Sequence, residues 1–169
     1  MWLHKSRIAP IATEMVRALT AGEHIETESP KEVALDLESV LNQYVQDEHD
    51  VSERAKDMMA ARGMAPTDLP RVRKELAKQK GIQIGDDAID YLLDQLLEML
   101  MHSQNVDEVY AEDFELRRLM REPLRREFAA PTEVEQEVRS KLKHVQEGTA
   151  LWEVEYQRML EDVKRRKGL

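Results

Sequence analysis

The segment IDYLLDQLLEMLMHS, residues 89–103, constrains the fold more than any other part of the chain. Nine of its fifteen residues are large and apolar. Its polar residues Asp90, Asp94, Glu98 and His102 recur every four positions, so on an α-helix they form one narrow line. A helix with so narrow a polar face must be covered by neighbours over most of its surface. We therefore predict that this helix is the hub of a helical bundle.

The rest of the chain also favours helices. Its 169 residues suffice for one domain with a proper core, but they are few for two independent domains of usual size. Aromatic residues make up only 5% of the chain, and Leu, Met, Ala, Glu, Lys and Arg, all good helix formers, dominate. We expect an all-α fold, a bundle of about six helices whose near-antiparallel neighbours are joined by short loops.

Charge and cysteine content exclude several classes of function. The chain has 34 acidic and 25 basic residues, a formal net charge of −9, which disfavours bulk binding to nucleic acid but permits a local basic patch. It has no cysteine, which excludes disulfides, thiolate zinc sites and cysteine nucleophiles. Charged residues and Pro10 interrupt the N-terminal segment, and no apolar run is long enough to span a membrane. We expect a cytoplasmic protein without membrane contact.

Periodicity and capping residues predict the first three helices. Apolar residues recur at helical spacing from Ile8 to Leu19, and Gly22 can end that helix. Ser29 with Pro30 and Glu32 has the pattern of a capping box, and it begins a long helix near residues 30–63. The segment GMAPTDLP, residues 63–70, is the clearest linker. A third helix follows over residues 70–81.

Two further expectations concern the middle of the chain. The alternation in IQIGDD predicts a short extended segment at residues 82–84, with His24–Thr27 as its candidate partner. Shifting the sequence by 56 residues aligns the apolar positions of the second helix with those of the hub helix. This alignment has two explanations. Either residues 1–63 and 64–129 are duplicated halves of one helical domain, residues 1–129, or two amphipathic helices align by chance.

The C-terminal segment has the spacing of a coiled coil. A fifth helix carries apolar residues from Phe114 to Phe128, and Pro123 is expected to kink it. From Val138 to Val163 apolar residues alternate at four and three positions, interrupted only by Thr149. We predict one long amphipathic helix near residues 132–167. The segment 130–169 that contains it either packs on the domain or projects from it.

This row of apolar residues supports the leading hypothesis for function. Aromatic side chains such as Trp152 and Tyr156, one turn apart, concentrate binding energy at interfaces. The chain has no phosphate-cradling glycine loop, nucleophile elbow or helical zinc signature, so we expect neither enzymatic activity nor a cofactor. We predict a non-catalytic interaction or scaffold protein that binds itself or a protein partner. The residues assigned to partner binding are Val145, Trp152, Tyr156 and Met159.

Two alternative functions stay open. Two basic stretches, RVRKELAKQK and KRRK, have the composition of a phosphate-binding patch, although both lack aromatic residues for base stacking. They predict an accessory factor that binds nucleic acid or a ribonucleoprotein. The other alternative is a metal site on the polar line of the hub helix, formed by Asp94, Glu98 and His102, which needs further ligands from elsewhere. The nucleic-acid candidates are Arg71, Arg73, Lys74, Lys78, Lys164, Arg165, Arg166 and Lys167.

Nearly the whole chain resembles a bacterial family, domain-of-unknown-function family 507. The resemblance is carried by RIAPIATEMVRAL, EVALDLESVLNQYV, DDAIDYLLDQLLEMLMHSQNVDEVYAEDFELRRLM and LWEVEYQRMLEDVKRRKGL. Its most specific part runs from Asp86 to Leu119, where the polar residues after the hub helix match as well as the apolar ones. The resemblance implies a bacterial protein and supports the expected fold boundaries. It implies no activity, substrate or catalytic residue.

Overall fold

A computed structural model describes residues 2–168, except for the side chain of Thr132. Over this range the chain forms six α-helices, which confirms the predicted all-α class and helix number. They are α1 (Lys5–Ala21), α2 (Pro30–Arg62), α3 (Leu69–Lys80), α4 (Ala88–His102), α5 (Asp113–Lys141) and α6 (Ala150–Lys167). Two short strands, β1 (Ile25–Glu26) and β2 (Glu108–Val109), pair antiparallel.

None of the helices within residues 2–168 combines the length and the apolar character that crossing a membrane requires.

The first two helices lie where their sequence signals predict them. The long helix α2 begins at Pro30 and ends where Gly63 adopts a left-handed φ of 58°. There the N–H of Met64 donates to the carbonyl of Met59 at 3.0 Å. The predicted capping box does not form, because the side chain of Ser29 makes no capping hydrogen bond. In α1 the buried residues are those of the predicted apolar row: Ile8, Ile11, Ala12, Met15, Val16 and Leu19.

Helix α4 is largely buried, as its narrow polar line predicts. Leu92, Leu93 and Leu96 are fully inaccessible to solvent. Each buried leucine side chain contributes roughly 1.5–3 kcal/mol relative to an exposed one. The other buried residues of α4 are Ala88, Leu97 and Leu100.

The predicted pairing of residues 82–84 with His24–Thr27 is wrong, because a different segment pairs with residues 25–26. Residue Ile25 does lie in a strand, but its neighbour is Val109 in β2. The segment 82–84 has other bonds: the N–H of Ile82 donates to the carbonyl of Ala77 at 3.0 Å, and the hydroxyl of Tyr44 donates to the carbonyl of Gln83 at 3.1 Å. Its backbone therefore ends α3 and contacts α2 instead of forming a ladder.

The predicted helix over residues 132–167 is also wrong, because a turn at residues 142–149 divides it. Gly148 adopts a φ of 85°, which is unfavourable for residues with a Cβ. Thr149 then begins α6 as an N-cap, and its hydroxyl accepts a hydrogen bond from the N–H of Trp152 at 3.2 Å. The preceding helix α5, in turn, passes through Pro123 and Pro131 without ending.

The described chain consists of two compact units. Residues 3–124 form the first unit, and residues 125–168 together with Trp2 form the second. In the second unit, α6 packs against the C-terminal part of α5 through one apolar cluster. The buried members of this cluster are Val134, Val138, Leu142 and Val163.

Candidate functional site

In the first unit, α3 packs on the C-terminal half of α2 and leaves part of its apolar surface open. The contact buries Val51 and Ala55 of α2 against Val72 and Leu76 of α3. Apolar residues at the edge of this cluster, Met58, Met64 and Ile84 among them, are only partly buried. Because methionine is flexible and polarizable, a surface edged with it adapts readily to different apolar ligands.

These edge residues form the floor of an open groove of about 760 Å³, which we call the basic groove. Its walls are the end of α2, the helix α3 and the segment 82–87. Four cations line it, Arg62, Arg71, Lys74 and Lys78, together with the two carboxylates of Glu75 and Asp87. The groove is therefore positive on balance in a chain whose net charge is −9.

The predicted basic stretch of residues 71–80 has two distinct roles. Some of its cations hold α3 against α2. The guanidinium of Arg73 lies 3.4 Å from the carboxylate of Glu48, and the ammonium of Lys80 lies 3.2 Å from Asp47 and 3.1 Å from Asp50. The segment QDEHD of α2, residues 46–50, therefore provides the carboxylates that anchor α3 to α2.

Charge and burial around this anchor shift the pKa values of its carboxyl groups in opposite directions. Glu48 is 4% exposed, and this burial raises its pKa, although Arg73 opposes the shift. On the surface, hydrogen bonds from Gln46 and then Lys80 lower the pKa of Asp50. The same contacts with Asp50 and Asp47 raise the pKa of Lys80.

The other cations of the stretch face the groove. Arg71 pairs with Asp68 at 3.3 Å, but its side chain is 73% exposed. Arg62, Lys74 and Lys78 are exposed, and no carboxylate within residues 2–168 forms an ion pair with them. Three cations beside an apolar floor are thus available to a ligand.

On another part of the first unit, two exposed aromatic residues lie among carboxylates. Tyr110 is 64% and Phe114 is 68% exposed. The hydroxyl of Tyr110 donates to the carboxylate of Glu26 at 2.7 Å, and this bond is the main cause that raises its pKa. Glu108 and Glu23 add to the shift through their charges. Tyr110 and Phe114 with Glu23, Glu26, Glu108 and Glu112 are called the acidic edge below.

Hydrogen bonds fix the loop that carries the acidic edge. The carboxylate of Asp36 in α2 accepts from the hydroxyl of Ser103 at 2.5 Å and from the side-chain amide of Asn105 at 2.9 Å. The hydroxyl of Thr27 donates to the carbonyl of Asn105 at 2.5 Å, and the carboxylate of Asp107 accepts from the N–H of Glu28 at 3.1 Å. The loop between α4 and α5 is therefore bonded both to α2 and to the residues that follow β1.

A protein-family profile described as "Protein of unknown function (DUF507)" matches residues 1–169, the whole chain. The chain belongs to the DUF507 family. No curated protein matches it in a sequence comparison. The family description names no activity, so the function of this DUF507 protein has to be argued from its surfaces.

The predicted metal-site residues of this DUF507 chain do not converge on a common point. Asp94 forms an ion pair with Arg117 of α5, and one helical turn away Asp90 pairs with Arg121 at 2.9 Å. The Nδ1 atom of His102 lies 2.9 Å from the backbone carbonyl of Glu98. Within residues 2–168 no three His, Asp or Glu side chains are grouped to hold a metal ion.

The predicted partner-binding residues lie in the second unit, and most are already engaged there. Trp152 stacks on Tyr156, with ring centroids 4.8 Å apart, and Arg139 lies 5.8 Å from the centre of the Trp152 ring. Tyr156 and Met159 pack against the α5–α6 cluster. Val145 lies in the turn between the two helices.

The second basic stretch, residues 164–167, is largely paired within the same unit. Arg166 contacts Glu137 of α5 at 2.7 Å, and Lys167 contacts the same carboxylate at 3.7 Å. Arg165 lies 3.9 Å from Asp162, whereas Lys164 has no ion pair among the described residues. Hydrogen bonds from Arg166 and Lys141 lower the pKa of Glu137.

Sequence reasoning missed the residues that complete these surfaces. It identified Lys74 and Lys78 but not Arg62, Met64 or Ile84, which reach the groove from three separate segments. It assigned Phe114 to the apolar face of the fifth helix, but this residue is exposed. One signal was available for the hub helix: the four-residue spacing of Arg117 and Arg121 matches that of Asp90 and Asp94.

Proposed function

We propose that this protein is a non-catalytic interaction protein of the bacterial cytoplasm, and that its basic groove binds an acidic amphipathic segment of a protein partner. The observation that carries the proposal is the composition of the groove. An open apolar floor edged by Met58, Met64 and Ile84 adjoins Arg62, Lys74 and Lys78, which have no carboxylate partner within residues 2–168.

The groove favours an amphipathic ligand because it combines an apolar floor with cations at its rim. Apolar side chains of a ligand gain by displacing water from the methionines and Ile84. Carboxylates of the same ligand pair with the cations at the rim, which contributes mainly to orientation and to the rate of association. An amphipathic helix with apolar residues at every third or fourth position provides this arrangement.

Nucleic acid is a poorer ligand for the same surface. None of the residues that line the groove is aromatic, so the groove offers no aromatic side chain on which a base can stack. The second basic stretch adds little, because Arg166 and Lys167 already contact Glu137.

The groove is proposed as the binding surface in preference to Val145, Trp152, Tyr156 and Met159, whose role in partner binding stays a sequence-based prediction. An apolar side chain that already packs within its own unit offers less surface to a partner. Tyr156 and Met159 are of this kind, since both contact the α5–α6 cluster. The proposal therefore keeps the class of function and moves the binding surface to α2 and α3.

A titration with a defined probe tests the proposal. The probe is a fluorescent synthetic peptide of about four helical turns, with Leu on one face and Glu elsewhere. We expect the parent protein to bind the probe at low salt. The triple variant Arg62→Glu, Lys74→Glu, Lys78→Glu should show no binding. A matched control, Lys5→Glu with Arg17→Glu and Arg54→Glu, carries the same charge change elsewhere and should bind like the parent.

Two results would count against the proposal. Equal binding by the parent and the groove variant would place the probe elsewhere on the protein. Stronger groove-dependent binding of a DNA duplex or single-stranded RNA than of the peptide, with steep salt dependence, would favour the nucleic-acid alternative.

A further inference from the structure

The acidic edge has the chemistry that the basic groove requires of its ligand. We propose that the acidic edge of a second copy of this chain occupies the basic groove, so that the protein associates head to tail. This inference rests on the proposed function, because it names the partner for the same groove. It adds that the ligand is supplied by the chain itself.

The two aromatic residues of the acidic edge are exposed to solvent. Tyr110 and Phe114 have the largest exposed fractions among the large apolar side chains of residues 3–124, at 64% and 68%. Aromatic side chains this exposed commonly serve as anchors that insert into a pocket of a partner. The basic groove offers such a pocket, with Val72, Leu76 and Ile82 beneath its partly buried edge.

The acidic edge also carries carboxylates that lack a cationic partner. Glu23, Glu108 and Glu112 form no ion pair with any cation of residues 2–168, and the carboxylate of Glu26 is bonded only to the hydroxyl of Tyr110 among the described contacts. A recess of about 670 Å³, lined in part by Glu23, Glu26 and Tyr110, lies within this edge. Unpaired carboxylates on one surface thus match the three unpaired cations of the groove on another.

Hydrogen bonds already order the loop between α4 and α5 that carries much of the acidic edge. Asp36 holds Ser103 and Asn105, and the β1–β2 pair holds Glu108 in place. Association of two ordered surfaces avoids the entropic cost of folding a flexible segment on binding. The acidic edge can therefore bind without the coupled folding that an unstructured peptide needs.

The two surfaces differ, so the contact is heterologous. Each docked pair leaves one groove and one acidic edge free, which allows rings or open chains to form as concentration rises. The small size of the groove and the exposed position of its charges imply weak association that salt reduces.

A charge-exchange experiment on the full-length chain tests this inference. The groove variant carries Arg62→Glu, Lys74→Glu and Lys78→Glu, and the edge variant carries Glu23→Lys, Glu108→Lys and Glu112→Lys. Sedimentation velocity is measured for the parent, for each variant alone and for the equimolar mixture, at concentrations up to about 1 mM so that a millimolar dissociation constant is detected. Far-UV circular dichroism checks that each variant is folded.

We expect the parent to associate with rising concentration and to dissociate at high salt. Each variant alone should associate at least about tenfold more weakly than the parent. In the mixture, the native groove of the edge variant can pair with the native edge of the groove variant, and the two reversed surfaces can also pair, so association should be restored. Phe114→Ser, which leaves every charge in place, should weaken association of the parent, whereas Leu35→Ser at another exposed apolar position should not.

The outcomes separate this inference from the proposed function. A parent that stays monomeric at the highest concentration, while its groove still binds the Leu/Glu peptide, overturns the second-copy inference alone. Failure of both the peptide titration and self-association overturns both. Self-association that neither variant weakens also overturns the inference, because the contact then uses another surface.

Discussion

The contact between Glu48 and Arg73 holds the wall of the basic groove, and removing its cation gives the sharpest prediction about stability. The Glu48 side chain is 6% exposed, and one of its oxygens, Oε2, has no hydrogen-bond partner within residues 2–168. Arg73→Met keeps the length of the side chain but leaves this carboxylate without the guanidinium. We expect the free energy of unfolding to fall at neutral pH.

The size of the effect follows from burial on each side of the pair. Breaking a fully buried ion pair costs about 3–5 kcal/mol. The Arg73 side chain is 32% exposed, so water reaches the vacated position and relieves part of the penalty. We therefore expect Arg73→Met to destabilise the protein by roughly 2 kcal/mol at neutral pH.

The pH dependence provides a second test of the same cause. Burial raises the folded-state pKa of Glu48 above its unfolded value, so the folded state binds the proton more tightly. The cost of the buried carboxylate is then absent below the unfolded pKa and grows as pH rises through the folded pKa. Without Arg73 the folded pKa rises further, so the destabilisation should be larger at about pH 7 than at about pH 5.

Urea unfolding followed by far-UV circular dichroism measures this prediction. The double variant Glu48→Leu, Arg73→Met removes both charges and should recover most of the loss. Arg54→Met, at an exposed position of α2, is the control and should change stability by less than about 0.5 kcal/mol. A loss for Arg73→Met that is equal at both pH values, or that the double variant does not recover, would show that an unpaired Glu48 carboxylate is not its cause.

Three further predictions concern the rest of the fold. Glu23 adopts a φ of 56° after α1, so Glu23→Gly should stabilise the protein by roughly 0.5–1 kcal/mol in urea unfolding; destabilisation would contradict the strain. Leu93→Ala, at a position with 0% exposure, should cost about 2–5 kcal/mol, and Leu35→Ala, at 52% exposure, should cost little; similar losses would contradict the assigned burial. Because the folded-state pKa of Glu137 is lowered, its carboxylate stabilises the second unit above the unfolded pKa, and this stabilisation is lost on acidification. Glu137→Gln should therefore flatten the acid transition that near-UV circular dichroism follows. An unchanged transition would show that Glu137 has no such role.

Local signals in the sequence predicted most helices of the first unit. Pro30 and Gly63 mark the ends of α2 closely, because their effects depend only on neighbouring residues. The apolar rows of α1 and α4 identify their buried faces for the same reason. The partner of β1 was missed, since a two-residue strand such as Glu108–Val109 carries no periodicity of its own.

The turn at residues 142–149 was missed for a different reason. The apolar row from Val138 to Val163 is interrupted in sequence only by Thr149, and such a row fits one long coiled-coil helix as well as two helices that fold back on each other. The structure uses it in the second way, with Val138 and Val163 in the same cluster. Gly148 followed by Thr149 was the local signal for the break.

The candidate site was predictable only in part. Lys74 and Lys78 belong to a basic stretch that is visible in the sequence, but their separation from Arg73 and Lys80 depends on which side of α3 packs on α2. Arg62 comes from a different helix, so its position beside them follows from tertiary packing alone. The sequence contains the charges of the groove, and the fold decides which of them stay unpaired.

We propose above that the groove between α2 and α3 is the surface that binds an acidic amphipathic ligand. Methyl NMR of the full-length chain during a titration with the Leu/Glu peptide tests it most directly. We predict that the methyl signals of Met58, Met64 and Ile84 shift, while those of the exposed Met101 and Leu151 do not. Shifts confined to Met101 or Leu151, or no shift at any of the three groove residues, would contradict the account.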